Sequence, residues 1–122
     1  MKEDYEGRGF VALHDVRNAI VSASATLTGG TAATLIAGDS DYFLDIIEVM
    51  FSNNSTVSAS VSLVNDGTTI RTFQVAAGAT SQFKFDCPLR QNTKGLPWIA
   101  DLEDVTGTSV VVAAEFIKKT KN

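Results

Sequence analysis

The single histidine, His14, and the single cysteine, Cys87, are the first candidates for chemistry in this chain. Nucleophilic catalysis needs a base within hydrogen-bonding reach of the nucleophile and a third group that orients the base. His14 stands in a charged N-terminal segment and is predicted to be solvated or docked. Asp86 and Pro88 flank Cys87, and the negative charge of Asp86 opposes activation of a thiol. We therefore predict no nucleophile–base pair, and a half-buried structural role for Cys87 at a strand end.

Carboxylates form a second group of candidates. Asp39, Asp41 and Asp45 lie in "GDSDYFLD", and oxygen ligands at alternate positions can hold calcium. The later glutamate of a complete calcium loop is missing, and Asp45 falls inside a predicted strand, so turn formation is the preferred interpretation. Asp101 and Glu103 share a strand face and are predicted to be solvated rather than to act as an acid–base pair. We predict no metal, no cofactor and no enzymatic activity.

Aromatic side chains could instead stack on a sugar. Tyr5, Tyr42 and Trp98 are the tyrosines and the tryptophan of the chain. Period-two alternation places Trp98 on one strand face with apolar neighbours, namely Leu96, Ala100 and Leu102. This pattern favours a core position for Trp98, and a carbohydrate ligand remains an alternative.

Composition limits the class of protein. The chain has 122 residues, 44% of them hydrophobic, which suits one domain with a real core. The formal net charge of −4 argues against nucleic acid as a partner, since the ten Lys and Arg are scattered apart from "KKTK" at the C-terminus. We see neither the apolar run of a signal peptide nor a membrane-spanning stretch, and we expect no membrane partner and synthesis in the cytoplasm. One cysteine excludes an intramolecular disulfide.

Strand patterns dominate the chain after its first nineteen residues. From Val57 to Leu63, apolar residues alternate with serines, which indicates a half-buried strand. Asn65-Asp66-Gly67 follows and predicts a type I′ hairpin turn. About eight such strands are separated by Gly, Asn and Asp turns, and no segment shows a helical period. We predict an all-β, eight-stranded antiparallel β-sandwich of jelly-roll or related Greek-key topology.

Three segments are predicted: residues 1–19 form an N-terminal arm, 20–118 the β-sandwich domain, and 119–122 a C-terminal tail. The arm carries seven charged residues, with Tyr5 and Phe10 as isolated aromatics. Such an arm becomes ordered where it docks on another surface.

Two predicted strands, residues 42–52 and 109–118, show apolar residues on both faces. A sandwich has one interior, so we expect the second apolar face to contact a loop, the arm or another subunit. Self-association as a trimer or dimer is the preferred interpretation. The candidate interface residues are Tyr5, Phe10, Tyr42, Leu44, Ile46, Met50, Val111 and Ile117.

A family resemblance covers roughly residues 43–118. The hairpin and loop "DGTTIRTFQVAAG", the strand end "FKFDCPL" and the closing strand "GTSVVVAAEF" resemble small β-sandwich virion proteins of tailed bacteriophages. The resemblance implies a structural role in the virion, as a capsid decoration (cement) protein that self-associates and binds the major capsid protein. It implies no catalytic residues. The alternative is a carbohydrate- or receptor-binding module of a phage tail.

Overall fold

The computed structural model describes residues 20–120, which form eight β-strands. The strands are β1 (Ile20–Thr28), β2 (Ala32–Ile36), β3 (Phe43–Asn53), β4 (Ala59–Asn65), β5 (Thr68–Val75), β6 (Thr80–Leu89), β7 (Trp98–Leu102) and β8 (Ser109–Lys119). No helix appears in this range, so none in the described chain is long and apolar enough to cross a membrane. The predicted all-β class and strand number are confirmed.

The strands form two antiparallel sheets of four strands each. Sheet 1 has the order β1-β8-β3-β6, and sheet 2 has the order β2-β7-β4-β5. Only the β4–β5 connection stays within a sheet; every other connection between consecutive strands crosses from one sheet to the other. This arrangement is the eight-stranded jelly roll.

The core lies between the sheets and is built from the inward-facing residues of both. Four phenylalanines join the sheets at one end: Phe51, Phe83 and Phe85 come from sheet 1, and Phe73 from sheet 2. The ring centroids of Phe51 and Phe73 are 4.9 Å apart, and those of Phe73 and Phe83 are 4.8 Å apart, both in tilted geometry. Tilted aromatic contacts of this kind add to the free energy gained by burying the rings.

The β4–β5 hairpin turns at the predicted position. Asn65 pairs with Thr68, which leaves Asp66 and Gly67 as the two turn residues. Both have positive φ, 53° and 71° respectively, as a type I′ turn requires. The hairpin prediction is confirmed.

A β-bulge in β3 changes which of its residues face the core. The pairing of β3 with both neighbouring strands shifts between Ile46 and Glu48. Leu44 and Ile46 therefore lie in the core together with Val49 and Phe51. The interpretation of β3 as apolar on two faces is wrong, because strict alternation overlooks the extra residue. Leu44 and Ile46, 1% and 0% exposed, are corrected from interface residues to core residues.

Candidate interaction surface

The outer face of sheet 1 is the surface on the side of that sheet opposite the core. Its centre is formed by Met50 of β3 and by Ala113 and Val111 of β8. Met50 is the cross-strand partner of Ala113, and Val111, two residues earlier on β8, is the partner of Ser52. Met50 is 41% exposed, and Val111 and Ala113 are half-buried. The centre of this face is therefore small, apolar and accessible.

Two carboxylates lie beside this apolar centre. Glu48 of β3 and Glu115 of β8 are direct cross-strand partners, and both are half-buried. They line a shallow depression of about 230 Å³, whose wall consists of Ser22, Glu48, Met50, Ala113, Ala114 and Glu115. Like charges directly opposite one another on a sheet are destabilising. The depression is thus suited to a group that carries positive charge.

Glu48 has one hydrogen-bond partner in the described chain, the Nε2 amide of Gln82 on β6. Lys84 lies opposite Glu48 in the strand register. Ion pairs within residues 20–120 join Lys118 to Asp39 and Lys119 to Asp45. Within residues 20–120, neither carboxylate of the depression forms an ion pair, and Lys84 is the cation that faces Glu48 across the strands.

The outer face of sheet 2 is polar along the β4–β5 hairpin, where its side chains bond each other, and it carries the half-buried apolar pair Val64 and Ile99 between β4 and β7. The hydroxyl oxygens of Ser62 and Thr72 are 2.9 Å apart, and the Gln74 amide donates to the Ser60 hydroxyl at 3.2 Å. These pairs follow the β4–β5 register. Side chains that bond each other in this way can face solvent without a partner protein.

The remaining interface candidates lie at different places. Tyr42 is half-buried and packs against the core, with the Lys118 ammonium 5.6 Å from its ring centroid. Ile117 is half-buried and pairs with Ile20 at one end of sheet 1. Tyr5 and Phe10 lie outside the described residues. The structure thus brings Met50, Val111 and Ile117 to the outer face of sheet 1.

The aspartates considered as calcium ligands form turn and loop contacts. Asp39 Oδ1 accepts a hydrogen bond from the Asp41 backbone N–H at 3.0 Å, which is the predicted turn interaction. Asp45 is 1% exposed and accepts a hydrogen bond from the Gln91 backbone N–H at 3.0 Å; its Oδ2 is 3.7 Å from Lys119 Nζ. No group of three or more His, Cys, Asp or Glu side chains within residues 20–120 could hold a metal ion.

Gln91 completes the end of sheet 1 beyond the β6 ladder. Its side chain is 0% exposed, its Oε1 accepts from the Leu44 N–H at 2.9 Å, and its Nε2 donates to the Leu96 carbonyl. Trp98 Nε1 donates to the carbonyl of the same Leu44 at 2.7 Å. These hydrogen bonds hold the loop between β6 and β7 against β3.

The other chemical candidates are placed as follows. Trp98 is 0% exposed, which confirms its predicted core position. Cys87 is exposed near the end of β6, which corrects the prediction of a half-buried thiol. Among the described strands, β6 is at the edge of sheet 1 and pairs only with β3. Asp101 and Glu103 are exposed, as predicted. His14 lies outside the described residues.

Sequence reasoning missed the Glu48–Glu115 pair and Gln91. Glu48 looks like a single interruption of an apolar strand, and Glu115 lies 67 positions further along the chain, so only strand pairing reveals their proximity. Gln91 stands in "PLRQNTKG", which resembles an ordinary polar loop.

No family model and no curated protein sequence matches this chain. Three solved structures are similar to it in fold. A protein of the acid-stable capsid of Helicobacter pylori bacteriophage KHP30 matches with a TM-score of 0.58 and 12% identity, over 84% of this chain and 90% of that chain. The CBM36-1 domain of a multidomain xylanase from the hindgut metagenome of Trinervitermes trinervoides matches with a TM-score of 0.55 and 12% identity, over 80% and 95% of the two chains.

A protein of the cyanophage Pam1 capsid matches with a TM-score of 0.51 and 13% identity, over 80% of this chain and 82% of that chain. Identities this low establish a common fold and no more. This chain therefore shares its eight-stranded β-sandwich fold with proteins of phage capsids and with a carbohydrate-binding module.

Proposed function

We propose that this protein is a structural component of a phage virion, a capsid decoration (cement) protein. It self-associates as a trimer or dimer and binds the lattice of the major capsid protein. It carries out no reaction and needs no cofactor. Its contact surface comprises the outer face of sheet 1 together with residues 1–19.

The outer face of sheet 1 is the observation that carries this proposal. The inner face of sheet 1 packs in the core. Its outer face presents an accessible apolar centre, formed by Met50, Val111 and Ala113. Removing such surface from water contributes about 25 cal/mol per Å² of apolar area. Exposed apolar patches with polar rims are typical of interaction sites. Fold similarity to two phage capsid proteins supports the virion as the setting.

The candidate catalytic groups also support a binding role. Asp101 and Glu103 lie exposed on the other side of the sandwich from the depression. Catalysis needs a base that converges with a nucleophile or a second acid in a cleft. No such convergence is found within residues 20–120.

The test combines molecular mass with capsid binding. We expect light scattering of the full chain to give a dimer or trimer, and co-sedimentation with purified capsids of the phage that carries the gene to show saturable binding. Replacing Tyr5 and Phe10 together by alanine in the full chain should weaken sedimentation without unfolding the sandwich. A strict monomer at high concentration with no affinity for capsids would overturn the proposal.

A carbohydrate- or receptor-binding module of a phage tail is the second candidate. Fold similarity to the CBM36-1 domain favours it, and another similar structure is a CBM36 module in complex with calcium and xylotriose, with a TM-score of 0.50 and 13% identity. Because Trp98 is buried, the half-buried Tyr42 is the better stacking candidate. A glycan array with Tyr42→Ala as the control tests this function, and a silent array removes it.

A further inference from the structure

We infer that two copies of this chain associate through β1, with the two β1 strands paired antiparallel across a two-fold axis at Ala23. The two copies of sheet 1 then form one continuous sheet. This inference deepens the proposed function and rests on its self-association, for which it names the contact and the symmetry. Three observations carry it: the composition of the β1 edge, the direction of its backbone groups, and the exposure of Val21.

The other three edge strands of the sandwich carry features that block further pairing. Sheet 1 ends at β1 and β6, and sheet 2 ends at β2 and β5. Natural edge strands are kept from pairing with other chains by charged side chains, by proline, by bulges or by being short. β6 carries Lys84 and Pro88, and its register with β3 shifts after Lys84. β5 carries Arg71 beside a register shift, and β2 has five residues and a register shift.

β1 has none of these features. It spans nine residues, "IVSASATLT", which include neither a charged residue nor a proline. Its register with β8 is unbroken from Ile20 to Thr28. Its Ile, Val and Thr residues favour extended structure. A long, regular edge of this kind is a template for a further strand.

The hydrogen bonds of β1 fix which of its residues can bond a further strand. The Gly29 N–H donates to the Thr108 carbonyl at 3.0 Å, so the odd-numbered residues of β1 bond β8. The even-numbered residues direct their N–H and C=O groups away from β8. Thr28 uses both of these groups to bond Thr31, at 3.1 Å each. The positions left for a further strand are Ile20, Ser22, Ser24 and Thr26.

These four positions are symmetric about Ala23, which selects a second copy as the occupant. A two-fold pairing centred at Ala23 places Ser22 opposite Ser24 of the second copy. It also places Ile20 opposite Thr26 of the second copy. The four symmetric pairs can exchange about eight backbone hydrogen bonds. Ala23 meets its own copy in a closely spaced pair without hydrogen bonds, where its small side chain fits.

The exposure of Val21 supports the same pairing. Alternation with the core residue Leu27 places Val21 on the core side of β1, yet Val21 is 38% exposed. In the pairing centred at Ala23, Val21 lies opposite Ala25 of the second copy, which covers its side chain. Burial of this apolar surface stabilises the dimer.

Charge does not oppose the pairing. The side chains of β1 are uncharged, so no like charges meet at the axis. Glu115 of β8 is the cross-strand partner of Ser22. By sheet geometry the two copies of Glu115 lie about 16 Å apart, three strand spacings across and two residues along. This separation exceeds the Debye length at physiological ionic strength. Glu48 on β3 and Lys84 on β6 lie further from the axis.

Disulfide trapping in the full chain tests the pairing and its register. In a Cys87→Ser background, Ala23→Cys places two thiols at the axis, where the closely spaced pair suits a disulfide. Ala25→Cys is the matched control on the same strand face, because its two copies lie about 14 Å apart in this register. We expect mild oxidation to convert the Ala23→Cys variant, and not the Ala25→Cys variant, to a covalent dimer on non-reducing gels. Equal cross-linking of the two variants, or none of Ala23→Cys, would overturn the inference.

Proline substitution at the two edges of sheet 1 tests the same contact without thiols. Ser24→Pro removes an N–H that points away from β8, so the β1–β8 ladder is kept. Gln82→Pro is the matched control on β6. The Asn53 N–H donates to the Ala79 carbonyl, so the even-numbered residues of β6 up to Lys84 likewise point away from β3. We expect Ser24→Pro to raise the Kd of the dimer at least about tenfold in sedimentation velocity, and Gln82→Pro to leave it unchanged. With both variants folded by circular dichroism, equal Kd values would contradict the pairing at β1.

Capsid binding separates this inference from the proposed function. A trimer by light scattering, or a dimer that Ser24→Pro does not weaken, would overturn the pairing at β1 and leave the virion role standing. A disulfide-trapped Ala23→Cys dimer that fails to sediment with capsids would overturn the virion role and leave the pairing at β1 standing.

Discussion

The outer faces of the two sheets differ although they belong to one fold and follow the same alternation. Sheet 2 presents hydroxyl and amide groups that bond each other across β4 and β5, as in the Ser62–Thr72 pair, and its apolar pair Val64 and Ile99 is half-buried. Sheet 1 presents Met50, Val111 and Ala113, with a pair of like charges beside them. A face that satisfies its polar groups internally gains little from a partner, whereas an apolar face gains from being covered, and its carboxylates gain only if the partner supplies a cation.

Sheet 1 itself is divided into a sealed end and an open centre. At the sealed end, Gln91 and Asp45 satisfy backbone groups where the β6 ladder stops. At the open centre, the depression exposes Glu48 and Glu115. The buried polar groups therefore maintain the fold, while the accessible carboxylates remain available for contact.

Removing the buried Gln91 hydrogen bonds at the sealed end of sheet 1 should have the largest effect on stability. Gln91→Ala leaves the Leu44 N–H and the Leu96 carbonyl without their side-chain partner in a buried setting. We expect the free energy of unfolding to fall by about 3 kcal/mol, measured by urea denaturation. Gln82→Ala, at an exposed glutamine of the same sheet, is the control and should change stability by about 0.5 kcal/mol or less. Equal losses in the two variants would contradict the division of sheet 1.

Charging the open centre should have the next largest effect, on binding rather than on stability. Met50→Lys combined with Val111→Lys should weaken capsid binding by about 2 kcal/mol or more, roughly thirtyfold, because apolar contact is lost. Co-sedimentation measures the change, and circular dichroism checks that the sandwich is folded. Thr72→Lys on sheet 2 is the matched control, and a similar loss of binding there would remove the distinction between the two outer faces.

Substitution of Gly67 in the β4–β5 turn should lower stability through backbone strain alone. A Cβ at Gly67 would meet nothing within 4 Å, but φ at this residue is +71°. Gly67→Ala should therefore cost about 1–2 kcal/mol, from the left-handed conformation by itself. Gly67→Asn should retain more stability, because asparagine adopts this conformation more readily. Thermal unfolding monitors both variants, and identical stabilities would argue against the type I′ turn.

Removing a hydroxyl from the outer face of sheet 2 should have the smallest effect. Ser62→Ala breaks the hydrogen bond with Thr72, but Thr72 is exposed and can bond water instead. We expect a change of at most about 0.5 kcal/mol in the free energy of unfolding and no change in capsid binding. A larger destabilisation would show that the hydroxyl pairs support sheet 2 rather than merely face solvent.

The sequence by itself determined the strands, the β4–β5 turn and the core position of Trp98. Strand alternation and positive-φ turn residues are local properties, and they can be recognised from a few neighbouring positions. Leu96, Ala100 and Leu102 place Trp98 on an apolar face without reference to any other strand.

Only the tertiary structure decided the strand order, the bulge in β3 and the depression on sheet 1. The bulge moves Leu44 and Ile46 into the core, and its position depends on the register that β3 shares with β6 and β8. Glu48 meets Glu115, and Gln91 meets Leu44, across long separations in sequence. Such contacts arise when strands pair, and pairing depends on the whole sandwich rather than on any short stretch of chain.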